Sequence, residues 1–119
     1  MSQLQMGAIE SRFADIIWNN EPISTLELVK FSEEELNWKK TTTYTVLKRL
    51  SDKGIFVNNK GTVTSLISRA DYYSAQSEKF VEETFDGSLP AFLTAFSARK
   101  KLKPEEIKKL REMIEQYEE

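Results

Sequence analysis

Between Trp38 and Gly54 the chain reads WKKTTTYTVLKRLSDKG, and this run restricts the fold more than any other. On a 3.6-residue period Thr43, Val46, Leu47 and Leu50 make one stripe, while Thr41, Tyr44, Thr45 and Lys48 make the opposite one, with Arg49 at its edge. A helix so patterned buries the first stripe and displays the second. Solvated helices ordinarily carry mixed Glu and Lys on the outer face. Small hydroxyls, a phenol and cationic tips instead suit phosphate oxygens and base edges. The expectation is a helix facing nucleic acid, with an ordinary amphipathic helix as the plainer alternative.

The charge distribution adds to this. The whole chain has a net charge of -2, but residues 36 to 60 carry six basic groups, Lys39, Lys40, Lys48, Arg49, Lys53 and Lys60, against Asp52 alone. A local basic patch on an acidic protein suits a specific binder, because the weak overall field limits adhesion to any phosphate backbone. The 119 residues contain neither cysteine nor histidine, which removes thiol nucleophiles, Ser-His-Asp chemistry, disulfides and most zinc or copper sites. With no spaced carboxylate motif either, no enzyme and no cofactor are expected. The N-terminus lacks a basic and apolar leader and no run reaches membrane-spanning length, so a cytoplasmic chain without membrane insertion is expected.

Ile9, Phe13, Ile16 and Ile17 predict a first helix ending near Trp18. Ser24-Thr25-Leu26-Glu27 has the form of a capping box, in which the Ser24 hydroxyl accepts from the Glu27 amide and the Glu27 carboxylate reaches back. It starts a second helix running to about Glu35, with Leu26, Leu28 and Val29 as inward candidates and a break at Asn37. Gly54 is an expected left-handed terminator. Two β-rich runs follow, around a turn centred on Lys60 and Gly61 or on the asparagines before them. Three helices and a hairpin are the order of a winged helix-turn-helix domain, assigned to residues 1–68. Lys60 on the wing is then a phosphate contact or a solvated turn lysine.

From Ser68 the pattern changes to long helices, assigned to residues 69–119. Tyr73, Phe80, Val81, Thr84 and Phe85 continue one helical stripe to Gly87, Ser88 caps Leu89 to Ala98, and Pro104 opens a helix with Ile107, Leu110, Ile114 and Tyr117. These apolar side chains exceed what a small winged helix can cover. Either they fold back on their own domain or they meet a partner, most simply a second copy of the chain. Phe92, Phe96, Ile107, Leu110 and Ile114 are the candidate dimer contacts. The fold class is thus mainly α with a small β-hairpin wing, a winged helix-turn-helix followed by a C-terminal helical dimerisation region.

The DIIW of residues 15 to 18, Pro22-Ile23-Ser24 with Glu27, the run Thr42 to Leu50 followed by Asp52-Lys53-Gly54, Phe85-Asp86-Gly87-Ser88 and Leu102 to Leu110 together resemble the BlaI/MecI penicillinase-repressor family along essentially the whole chain. The resemblance implies a homodimeric transcriptional repressor on a pseudo-palindromic double-stranded DNA operator, of the TACA/TGTA half-site type in the family. It also implies a membrane-bound sensor metalloprotease as partner and induction by cleavage, with the matching bond between Ala95 and Phe96. Ala95 stands where the best-known members have Asn, Tyr44 stands where many have a basic residue, and Lys103 replaces the usual Ser or Thr cap. The cysteine-rich copper-sensing tail of one family subset is missing. The recognition helix is expected at about Lys40 to Lys53, with Thr41, Tyr44, Thr45 and Lys48 toward bases and Lys39, Lys40, Arg49 and Lys60 on phosphates. The rival reading is a winged helix that serves as a protein-interaction module without sequence-specific DNA binding.

Overall fold

The structure, a computed structural model, describes residues 6–117. The elements in chain order are α1 (Ala8–Asn20), β1 (Ile23–Ser24), α2 (Thr25–Leu36), α3 (Lys40–Asp52), β2 (Phe56–Asn59), β3 (Thr62–Ser65), α4 (Arg69–Phe85), α5 (Leu89–Arg99) and α6 (Pro104–Tyr117). They fall into two compact units that divide after Ser77. The sequence-derived boundary at Ser68 marks the start of α4, whereas the division in packing comes inside that helix.

In the first unit the core is built from α1, α2, α3 and the sheet. Phe13, Ala14, Ile16 and Ile17 of α1 are buried together with Leu28, Val46, Leu47, Leu50, Ile55, Phe56 and Val63. The α1 stripe is as expected except at its start, where Ile9 in the first turn is 45% exposed. On α2 the inward line is Leu28 and Ser32, one turn apart. Leu26 was expected to face inward but is 74% exposed, because two residues along a helix turn a side chain about 200° away from Leu28.

The cap of α2 differs from the expected box in one bond. Ser24 Oγ accepts from the Glu27 amide at 3.1 Å, but the Glu27 carboxylate accepts from the Ser24 hydroxyl at 3.2 Å. The helix stops at Asn37, whose left-handed backbone (φ 56°, ψ 37°) sends its N–H back to Glu33 and Ser32. Asparagine tolerates that conformation better than most residues. Trp38 then packs its ring 5.1 Å from Phe13, and α3 begins two residues later. Its end is a glycine terminator as expected: Gly54 has φ 83°, and the Ile55 amide donates to Leu50 O at 3.1 Å.

A two-residue strand, β1, was not anticipated. It pairs Ile23 with Val63 and Ser24 with Thr62, making a three-stranded antiparallel sheet of order β1-β3-β2 rather than an isolated hairpin. In the wing, Asn59 faces Thr62 across a two-residue turn of Lys60 and Gly61, both with positive φ (52° and 91°). This is the backbone that a tight right-twisted hairpin requires, and Gly61 adopts it without steric cost. The tip is fastened to the domain, since the Thr25 amide donates to Gly61 O at 2.9 Å. The wing base is held by Glu21, whose carboxylate accepts from the Ser65 amide at 2.8 Å and from its hydroxyl at 2.9 Å.

The first turns of α4 complete this unit. Tyr72 is buried, its ring 5.8 Å from Trp18, and its hydroxyl accepts from the Met6 amide at 3.0 Å. Trp18 in turn donates its indole N–H to Ile67 O at 3.1 Å. The second unit contains the end of α4, α5 and α6. Phe80, Phe85 and Phe92 meet edge to face with centroids 5.7 to 6.1 Å apart. Ser88 caps α5 through the Ala91 amide, and at α6 the Lys103 amide donates to the Glu106 carboxylate at 2.9 Å, which compensates in part for the absent Ser or Thr. Among the described residues from Glu78 onward none is buried.

Because Tyr72 closes the first core, Tyr72→Ala should lower the stability of the chain by about 3–5 kcal/mol. Tyr72→Phe, which loses only the hydroxyl that receives the Met6 amide, should cost about 1 kcal/mol. Urea unfolding of the two variants beside the wild type measures both.

Candidate nucleic-acid interface

The buried stripe of α3, Thr43, Val46, Leu47 and Leu50, is the one expected from sequence. It fixes the rotation of the helix, so Thr41, Thr45, Lys48 and Arg49 are exposed and Tyr44 is half-buried. Lys39 is the N-cap residue of α3, without a side-chain cap bond, and Lys40 is its first helical residue. No acidic side chain lies in the first turn. Lysine there adds to the positive end of the helix dipole and costs the helix about 0.3–1 kcal/mol. The same placement concentrates positive potential where an anion can approach.

The polar groups of this face have distinct local partners. Lys40 Nζ lies 6.0 Å from the centroid of the Tyr44 ring. Lys48 pairs with Asp52 at 3.3 Å, both largely exposed. Such an i, i+4 pair is worth well under about 1 kcal/mol and yields to a stronger anion. Thr45 Oγ1 donates to Thr41 O at 2.8 Å, and Thr43 Oγ1 donates to Lys39 O at 3.3 Å.

Arg49 is engaged within the molecule. Its Nη1 donates to Glu10 Oε2 at 2.9 Å, with the arginine side chain 53% exposed and the glutamate 13% exposed. Glu10 Oε1 accepts from the Gly7 amide at 3.2 Å. One carboxylate thus closes the N-terminus of α1 and anchors the outer edge of α3. Burial acts to raise the Glu10 pKa, but the hydrogen bonds from Arg49 and Gly7 and the charges of Lys53 and Arg49 outweigh it and hold the carboxyl below its usual range. Sequence reading missed Glu10, because its partner lies 39 positions away and no local pattern signals the pairing.

Tyr44 and Lys48 face a groove beside the wing strand. Together with Leu47, Ser51, Phe56, Val57, Asn58 and Leu66 they line this groove of about 510 Å³ between α3 and β2. Lys60 stands exposed at the wing tip, where the Gly61 amide donates to Asn58 Oδ1 at 2.9 Å. In the second unit the candidate dimer residues Phe92, Phe96 and Leu110 border an apolar cleft of about 290 Å³ between α5 and α6. Ile107 and Ile114 are exposed on α6. Ala95 and Phe96 both lie within α5. Among the described residues no helix is long and apolar enough to cross a membrane.

A helix-turn-helix whose second helix carries a hydroxyl-rich basic face, followed by a hairpin wing, defines a winged-helix protein. The family model described as Penicillinase repressor matches residues 6–116. The chain belongs to that family of winged-helix transcriptional repressors, which are not enzymes. It is similar to the penicillinase repressor of Bacillus licheniformis, 29% identical over 95% of this chain and 91% of the relative. It is also similar to the methicillin resistance regulatory protein MecI of Staphylococcus aureus, 23% identical over 92% of this chain and 93% of the relative.

The lowered Glu10 pKa makes stability depend on pH. The stabilising effect is complete above the ordinary carboxylate value of 4.5 and is lost as pH falls through the lower folded value. Wild type should exceed Glu10→Gln by on the order of 1 kcal/mol at neutral pH. That gap should close in acid, as read from urea midpoints of both proteins across pH.

Proposed function

We propose that the chain is a homodimeric repressor that binds a pseudo-palindromic operator in double-stranded DNA, with α3 as the helix that enters the major groove. The observation that carries this reading is the outward face of α3. Four hydroxyl, phenol or ammonium side chains, Thr41, Tyr44, Thr45 and Lys48, are set there by the burial of the opposite stripe. They take the base-facing role. Lys39 and Lys40 at the start of α3, Arg49 at its edge and Lys60 on the wing take the phosphates. Arg49 keeps its Glu10 partner, and its remaining exposed N–H groups are held in one orientation for a phosphate oxygen.

The dimer is assigned to the second unit. A unit with exposed Phe96, Ile107 and Ile114 and no buried residue among those described needs a cover, and a second copy provides it through Phe92, Phe96, Ile107, Leu110 and Ile114. For release from DNA, the family resemblance supports a membrane-bound sensor metalloprotease as partner and cleavage between Leu93 and Ser97, at Ala95 and Phe96. That bond sits inside α5, so hydrolysis requires the helix to open locally. Mass spectrometry of the protein from induced cells tests this, since an intact chain released from DNA would point to a bound effector instead.

Tyr44→Ala and Lys48→Ala should reduce binding to the chain's own promoter region more than binding to random duplex. Lys40→Ala and Lys60→Ala should weaken both, and each should reduce the salt slope by about 1. Mobility-shift titrations at several salt concentrations measure this, and absence of any sequence preference in the wild type would favour the protein-interaction reading.

A fragment ending at Ser77 keeps Tyr72 and should sediment as a folded monomer. Its affinity for the full operator should fall about 100-fold or more, because the linkage of two half-site contacts is lost. Sedimentation of that fragment as a dimer would move the dimer contacts into the first unit.

A further inference from the structure

The run Lys40-Thr41-Thr42-Thr43-Tyr44-Thr45 puts several threonines near the start of α3, and the structure assigns them different tasks. Thr43 is buried, its hydroxyl donating to Lys39 O; it belongs to the core. Thr41 is exposed, and among the described residues its hydroxyl has no protein partner, so it can donate or accept. Thr45 is exposed too, but its hydroxyl donates to Thr41 O at 2.8 Å. Tetrahedral geometry at Cβ then directs the Cγ2 methyl away from that carbonyl. What Thr45 offers a ligand is therefore an apolar methyl beside the free Thr41 hydroxyl, one helical turn away.

We propose, on the basis of the DNA-binding reading above, that Thr45 is a specificity-determining residue that recognises the C5-methyl group of a thymine in the major groove, and that its hydroxyl makes no base contact. The thymine methyl is the one apolar group in the major-groove pattern of a base pair, and small apolar surfaces, the threonine methyl among them, read it. A hydroxyl already bonded to backbone would have to give up that bond before it could read a base. The methyl reaches a base with no rearrangement of α3.

The test separates this inference from the reading it rests on. Full-length protein is first used to select duplexes from a random pool. Each thymine of the enriched half-site is then replaced by deoxyuridine, which removes the methyl and nothing else. At one thymine, wild type should lose about fourfold in affinity per half-site, the size expected for one methyl group withdrawn from water. Thr45→Val keeps the methyl and discards the hydroxyl, and should show the same loss on deoxyuridine. Thr45→Ser keeps the hydroxyl and discards the methyl, and should bind both duplexes alike. Because Thr45 is exposed, both variants should unfold like wild type in urea. Selection of a clear site with no deoxyuridine effect at any thymine would overturn the Thr45 inference alone. So would a Val variant that loses the methyl preference as the Ser variant does. Failure to enrich any sequence would overturn the DNA-binding reading, and this inference with it.

Discussion

The burial of Thr43, Val46, Leu47 and Leu50 is the constraint from which the rest of the first unit follows. Once that stripe is packed among Phe13, Ile17 and Leu28, the rotation of α3 is fixed, and each other side chain of the helix has a determined direction. Burial of a Leu or Val side chain is worth about 1.5–3 kcal/mol, whereas the lysines at the start of the helix oppose it by only tenths to about 1 kcal/mol each. The core therefore decides the orientation and the outer face is left to chemistry. The burial of that stripe more than offsets the unfavourable basic N-terminus of the helix.

What was legible in the sequence divides along physical lines. Periodicity gave the inward face of α3, and caps located Ser24, Ser88 and the Gly54 terminator, because those signals are local. Non-local pairings were not legible. β1 is only Ile23 and Ser24, too short for any alternation, and its existence depends on β3 some 40 residues later. Leu26 was an inward candidate beside Leu28 and Val29, but its angle from the buried Leu28 turns it out to solvent. Arg49 showed as a cation on the outer edge, but its tie to Glu10 joins residues 39 positions apart and leaves no mark in either segment.

The two units obey different rules of stability. The first has a closed core with Phe13, Phe56, Ile17 and Leu50 fully enclosed. The second has aromatic contacts among Phe80, Phe85 and Phe92 but, among its described residues, no enclosed side chain. Small units of that kind bury too little apolar surface to offset the conformational entropy of folding. Coupling its folding to association would make protein concentration a determinant of both stability and, under the repressor reading, occupancy of DNA.

The fastening of the wing has a further consequence. With Gly61 O tied to the Thr25 amide and Glu21 gripping Ser65 at the other end, the hairpin is less a finger than a fixed rail of the sheet. Fixing a free backbone costs about 1–2 kcal/mol per residue, so a loose hairpin of ten residues would surrender much of its contact energy to ordering. If the wing meets a duplex as proposed, ordering the exposed Lys60 side chain would cost about 0.5–1.5 kcal/mol, with the backbone already fixed. Any shape readout of a duplex by such a rail would be unforgiving. Under the proposed operator binding, a groove that is too wide or too narrow would meet little adjustment from the wing, and the misfit would fall on the DNA as bending.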